Sequence, residues 1–142
     1  MIDNNGAIEQ AFYTALTAEL TPLSVPVFIN YAPNELLTDS YVELSIVSSS
    51  ENSNMNAAYS ETIVSVKIFT KETSINNGVS ANTIAGHIYE AITPSNLSTM
   101  SINGKDAVVS LLSDINQGLN LSQDEYYINR FVTFTLKNIF NS

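Results

Sequence analysis

The sequence holds one histidine, no cysteine, fourteen acidic and five basic residues. Reactive chemistry would therefore have to come from His87, from carboxylates or from hydroxyls. His87 stands between Gly86 and Ile88, and an imidazole performs acid–base or metal chemistry only with partners of fixed geometry around it. The local candidate is Glu90, three residues on and on the same face of a helix. With no second histidine and no cysteine to complete a zinc site, His87 reads as a structural or surface residue. Glycoside hydrolysis requires two carboxylates at a defined separation in a cleft, and a small two-layer domain offers no obvious deep one. The D-x-[DN]-x-[DN]-G calcium loop is missing. ENSNMN at 51–56 and Asp114-Ile115-Asn116-Gln117-Gly118 come nearest, with one carboxylate each.

Asp124-Glu125 reads as the solvated start of the last strand. The chain has no G-x-G-x-x-G, no G-x-x-x-x-G-K-[ST] and no G-x-S-x-G, so nucleotide-binding loops and a nucleophile elbow are not indicated. The expectation is a non-enzyme with no cofactor and no metal. Arg130 is the remaining singular residue. It shares the strand parity of Ile128, Val132 and Phe134, which aims it toward a core face. It must be re-aimed by a bulge, paired with a carboxylate near a sheet end, or used in an ion pair between subunits.

These residues are held by elements that the spacing of apolar side chains outlines. GAIEQAFYTALTAEL at 6–20 places Ile8, Ala11, Phe12, Ala15, Leu16 and Leu20 on one side of a helix. Asn4 or Asn5 is available as its cap, and Pro22 stops it. PVFIN at 26–30 reads as a short strand. From Tyr41 the period becomes two: Val42, Leu44 and Ile46 alternate with Glu43 and Ser45, and Val64, Val66 and Ile68 alternate with Ser65 and Lys67. These two runs form an antiparallel hairpin joined by a polar loop at 48–57.

A second helix fits 79–93, with Ser80 as cap and Pro94 as stop. Gly86 inside it costs about 1 kcal/mol relative to alanine unless a neighbouring backbone packs closely there. Residues 94–105 read as a loop, 106–116 as a strand, 117–124 as a second long connection and 125–140 as a long terminal strand. The fold class expected is α+β: a two-layer sandwich with a mainly antiparallel sheet of four to five strands against two helices, in the order α-β-β-β-α-β-β, forming one domain over 1–142. The other sheet face, lined by Ser45, Ser65, Thr133 and Thr135, is left neutral and polar, either wet or packed on a copy of the chain.

Composition narrows the function classes. The net charge is -9, only 13% of residues are charged against 44% hydrophobic, and there are 17 Asn and 18 Ser. The chain is apolar enough to fold. Lys67, Lys71, Lys105, Arg130 and Lys137 are too few and too scattered along the chain to grip phosphates. No apolar run reaches membrane-spanning length and no signal peptide begins the sequence, so synthesis in the cytoplasm and no membrane partner are expected.

Taken in order, AIEQAFYTALTAEL, the short strand, the hairpin of YVELSIVSS and ETIVSVKIFTK, the helix NTIAGHIYEAI, and the closing strands AVVSLLSDIN and EYYINRFVTFTLKN resemble the phage tail-terminator and tail-completion family and its head-tail neck-ring relatives. The likeness spans nearly the whole chain. Typical members carry more Arg and Pro around the first short strand than PVFINYAPNE does, which leaves terminator, neck ring and other connector open. The resemblance implies a structural virion protein made in the host bacterial cytoplasm. It implies a ring, hexameric or dodecameric, beside portal, connector or tail-tube proteins, with DNA passing through the centre without specific binding.

A ring needs a heterologous, closing interface. The candidate interface residues are Tyr41, Tyr59, Met55, Arg130 and Phe131, with Tyr13 beside them and the loops at 48–58 and 117–125 reaching neighbours. An acidic chain suits a channel that must not hold DNA, an argument that fails if Lys67, Lys71 and Lys137 gather around the pore. The competing reading is a monomeric module that binds a ligand or a host protein through the hairpin loop at 48–58.

Overall fold

Apolar residues four apart, Ile8, Phe12, Leu16 and Leu20, form the buried stripe of the first helix, α1 (Asn5–Leu20). Its continuation is broken at Pro22, where one turn of 3-10 helix (Thr21–Leu23) ends on Ser24 in the left-handed region, φ 58°. The computed structural model describes residues 5–30, 40–53, 58–73, 80–94, 98–102, 104–120 and 125–140. After α1 come β1 (Val27–Ile29), β2 (Ser40–Ser53), β3 (Ala58–Thr73), α2 (Ala81–Ile92), β4 (Ser98–Ile102), β5 (Lys105–Asn120) and β6 (Glu125–Phe140). They form a six-stranded sheet in the order β1-β2-β3-β6-β5-β4. Among the described residues only the β1–β2 pair is parallel.

The period-two pattern selects which face is covered. Val42 and Leu44 on β2, Val64, Val66 and Ile68 on β3, Val132, Phe134 and Leu136 on β6, and Ala107 and Val109 on β5 are buried. They form one cluster with the α1 stripe and with Ile84, Ala85, Ile88 and Ile92 of α2. The Phe12 and Phe134 rings meet at 6.1 Å, and Tyr89 of α2 approaches Phe134 edge-on at 6.4 Å. Ser80 caps α2, its hydroxyl accepting from the Thr83 amide at 3.2 Å. The helices lock to each other at their margin through His87, whose Nδ1–H donates to Oε1 of Glu19 at 2.8 Å. The partner of His87 is thus Glu19 on the other helix rather than the expected Glu90. A methyl group on Gly86 would meet nothing within 4 Å, so close backbone packing does not account for that glycine.

The sheet departs from expectation in three places. It has six strands, not four or five, because residues 98–102 form β4 where a loop was expected. Only Ser98 and Ile102 of that segment are buried, too few for a period to show in the sequence. Gly104, at φ +79°, lies between β4 and β5. The expected loops at 48–57 and 117–124 are largely strand: β2 runs to Ser53 and β3 begins at Ala58, while β5 runs to Asn120. These extensions are polar and lie beyond the helices, so main-chain pairing forms them without an apolar face to announce it. Residues 54–57 and 121–124 lie outside the described residues, as does Asn4.

Phe134→Ala removes a ring that both helices touch and should destabilise the fold by about 3–5 kcal/mol. Thr133→Ala, on the helix-free face, should cost less than about 1 kcal/mol. Urea unfolding of the two variants against the parent checks the difference.

Candidate functional site

Beyond the apolar cluster, the helix-covered face of β5 and β6 turns polar, and there Arg130 is found. It keeps the expected parity, standing opposite Ile68 on β3 and Asn116 on β5. A bulge in β5 brings its partner to the same face. The register shifts between Leu111 and Ser113, so that Asp114 comes opposite Val132 instead of falling on the other side. Arg130 then donates from Nε to Asp114 Oδ1 at 2.8 Å and from Nη2 to Oδ2 at 2.6 Å, a bidentate pair, and from Nη1 to Asn82 Oδ1 of α2 at 2.8 Å. The Tyr89 hydroxyl donates to Asp114 as well.

The Arg130 and Tyr89 hydrogen bonds hold the Asp114 carboxyl below the ordinary carboxylate range, and the guanidinium contributes most. Burial, then the bond to Asp114, pushes the Tyr89 phenol up to about 12. This cluster latches α2 to β5 and β6 where the apolar cover ends. It also occupies the carboxylate of the 114–118 segment considered for calcium. Among the described residues no three His, Asp or Glu side chains gather where they could hold a metal ion, and no helix is long and apolar enough to cross a membrane.

The helix-free face carries Tyr41 and Phe131. Tyr41 belongs to a row of rings crossing four strands: Phe28 and Tyr41 at 6.3 Å, Tyr41 and Phe69 at 4.8 Å, Phe69 and Tyr127 at 5.1 Å. Burial in that row, and then the nearby Glu43 carboxylate, raise the Tyr41 phenol pKa. Phe131 lies under Lys67, whose Nζ is 5.8 Å from the ring centroid. The neutral strip is present as well, since Ser45 pairs with Ser65, Ser65 with Thr133 and Thr133 with Ser113 across the sheet.

By register, Lys67, Lys71 and Lys137 share this same face, so the face is not simply neutral. Net charge alone therefore cannot say which surface would repel DNA. Of the other interface candidates, Tyr13 is half-buried against the core. Tyr59 pairs with Asn52 and Ile139 along the strands, and Met55 lies outside the described residues. The aromatic row was not anticipated. Phe28, Tyr41, Phe69 and Tyr127 lie on four strands, and only the pairing register brings them together.

Two stretches of sheet edge are uncovered. β1 pairs only with residues 42–44 of β2, and β4 only with residues 105–109 of β5. Residues 45–53 and 110–120 therefore have no strand on their outer side among the described residues. Large apolar side chains stand exposed along them: Val47 at 62%, Leu111 at 47%, Leu112 at 54% and Ile115 at 59%.

The fold is similar to that of a chain in the solved virion of a native gene transfer agent particle, over 95% of this chain and 96% of that one, with a TM-score of 0.59 and 15% identity. A second solved structure is similar over 96% of this chain and 94% of its own, with a TM-score of 0.53 and 11% identity. At these identities the likeness is one of fold. No protein-family model matches the chain, and no curated protein matches it in sequence.

Because the folded pKa of Asp114 is depressed, its contribution to stability is present above the unfolded value of about 3.9 and lost as pH falls through the folded value. Asp114→Asn should cost about 1–2 kcal/mol at neutral pH, the pair being partly open to solvent. The gap to the parent should close as pH falls below about 4. Urea midpoints measured from pH 7 downward read both effects.

Proposed function

We propose that this chain is a structural virion protein of a phage-like particle. It forms a homo-oligomeric ring at the head-tail junction or the tail end and surrounds the DNA channel there. The observation that carries the reading is the fold likeness, over nearly the whole length of both chains, to a chain of a gene transfer agent virion. The order of elements, which resembles the tail-terminator and neck-ring proteins, points the same way. The role needs no catalysis and no cofactor. It asks for a rigid subunit with a heterologous, closing interface, and contact with portal, connector or tail-tube proteins above and below.

The helix layer and the sheet's free face differ in character. Glu9, Glu19 and Glu90 sit on the helices, whereas Lys67, Lys71 and Lys137 share the sheet face with Glu43 and Glu61. A ring built from such subunits presents one acidic layer and one mixed-charge layer. The reading of a monomeric module with a recognition loop at 48–58 has lost most of its basis, since that segment is strand up to Ser53 and again from Ala58.

Purified protein examined by sedimentation velocity and negative-stain electron microscopy should give one closed oligomer with a central opening. A single monomeric species up to the highest attainable concentration, or a closed dimer without an opening, would overturn the ring.

A further inference from the structure

We infer that the two uncovered edges, residues 45–53 of β2 and residues 110–120 of β5, are the two halves of one head-to-tail interface, in which β5 of one copy pairs antiparallel with β2 of the next. This inference rests on the ring reading and names the surface that closes it.

Of the devices by which sheet proteins keep strands apart, the edges lack two, although each strand contains a bulge. Neither contains Lys or Pro, and each carries exposed apolar side chains at or beside a bulge, Val47 on β2 and Leu111, Leu112 and Ile115 on β5. Their free lengths are similar, and they lie on opposite edges and toward opposite ends of the sheet, so each copy offers one of each.

Charge argues for a second copy as the occupant. Copies of a chain with net charge -9 approach most readily where like charges are few. Residues 45–53 hold one ionisable side chain, Glu51, and the single charge in 110–120, Asp114, is already neutralised by Arg130.

Strand polarity and stagger also fit. Along the order β2-β3-β6-β5 every pair is antiparallel. β5 therefore runs opposite to β2, and rotation about an axis along the sheet sets the two edges antiparallel. Ile115, at the middle of the free β5 edge, is level with Phe131, and Ser50, beside the middle of the free β2 edge, is level with Lys137 through Glu61, so both stand on the helix-free face. The offset is about six residues, or roughly 20 Å along the strands, against about 19 Å across four strands. A ring without axial rise absorbs that offset if the strands tilt by about 45°, at the upper end of the range at which closed sheets tilt.

Because the chain has no cysteine, Ser50→Cys and Ile115→Cys introduce unique thiols near the two edge centres, on the same face of the sheet. Within one copy these positions are separated by three strand spacings and the stagger, beyond the reach of a short bismaleimide. The double variant treated with that reagent should give a ladder of linked oligomers on a denaturing gel, each single variant should remain monomeric, and a mixture of the two single variants should give linked dimers. Circular dichroism checks that each variant is folded, and light scattering reads its oligomeric state. Oligomers by light scattering without a ladder would overturn the edge interface and leave the ring standing. Links within either single variant would overturn the head-to-tail arrangement in favour of like edges pairing. Monomers throughout would overturn both.

Discussion

A strand advances more than twice as far per residue as a helix, and this mismatch governs the molecule. The helix α1 and the strands β3, β5 and β6 each have 16 residues. The helix spans about 24 Å, and a strand of that length about 54 Å. Helices of 16 and 12 residues can therefore roof only the middle of the sheet. The apolar cluster ends where they end, at Thr62 and Thr70 on β3 and between Arg130 and Leu136 on β6. Beyond it the strands continue on main-chain pairing, and residues 48–53 are all Ser, Glu and Asn.

The borders of that cover are where the particular features gather. At one end the β5 bulge turns Asp114 onto the helix side. There Arg130, Asn82 and Tyr89 close a polar latch in place of further apolar packing. Toward the other end the β2 bulge at Val47 opens the strand that leads away from the helices. A bulge re-aims side chains and increases local twist. Both bulges lie where a strand leaves the cover of the helices. The edge pairing proposed above uses these uncovered parts. An isolated strand edge with exposed Leu, Ile and Val is an invitation to pairing that a monomer would have to defend against.

How far the sequence discloses all this depends on where a residue sits relative to the cover. Under the helices the pattern is plain: the i, i+4 stripe of α1, the cap at Ser80, the stops at Pro22 and Pro94, and the period-two runs of β2, β3 and β6 all follow from apolar spacing. Outside the cover no apolar face is required, and SSSENS and QGLN look like loop although they pair as strand. The missed β4 is the same effect on a small scale, with two buried positions in five residues. Of the interface candidates, Arg130 was legible as a core-facing cation in need of a carboxylate, but its partner was not, because a bulge cannot be read from parity. Tyr41 and Phe131 were legible as aromatics outside the core stripes. Their companions Phe28, Phe69 and Tyr127 depend on cross-strand register, which a single sequence does not encode locally.

In the edge pairing proposed above, the uncovered ends of this sheet are completed by the next copy of the chain in a closed ring. A cryo-electron microscopy map of the assembled protein that resolves strands should then show a sheet continuous from subunit to subunit, with residues 110–120 of one copy hydrogen bonded to residues 45–53 of the next and the strands inclined to the ring axis. A ring joined through its helices, with both edges facing solvent, would contradict it.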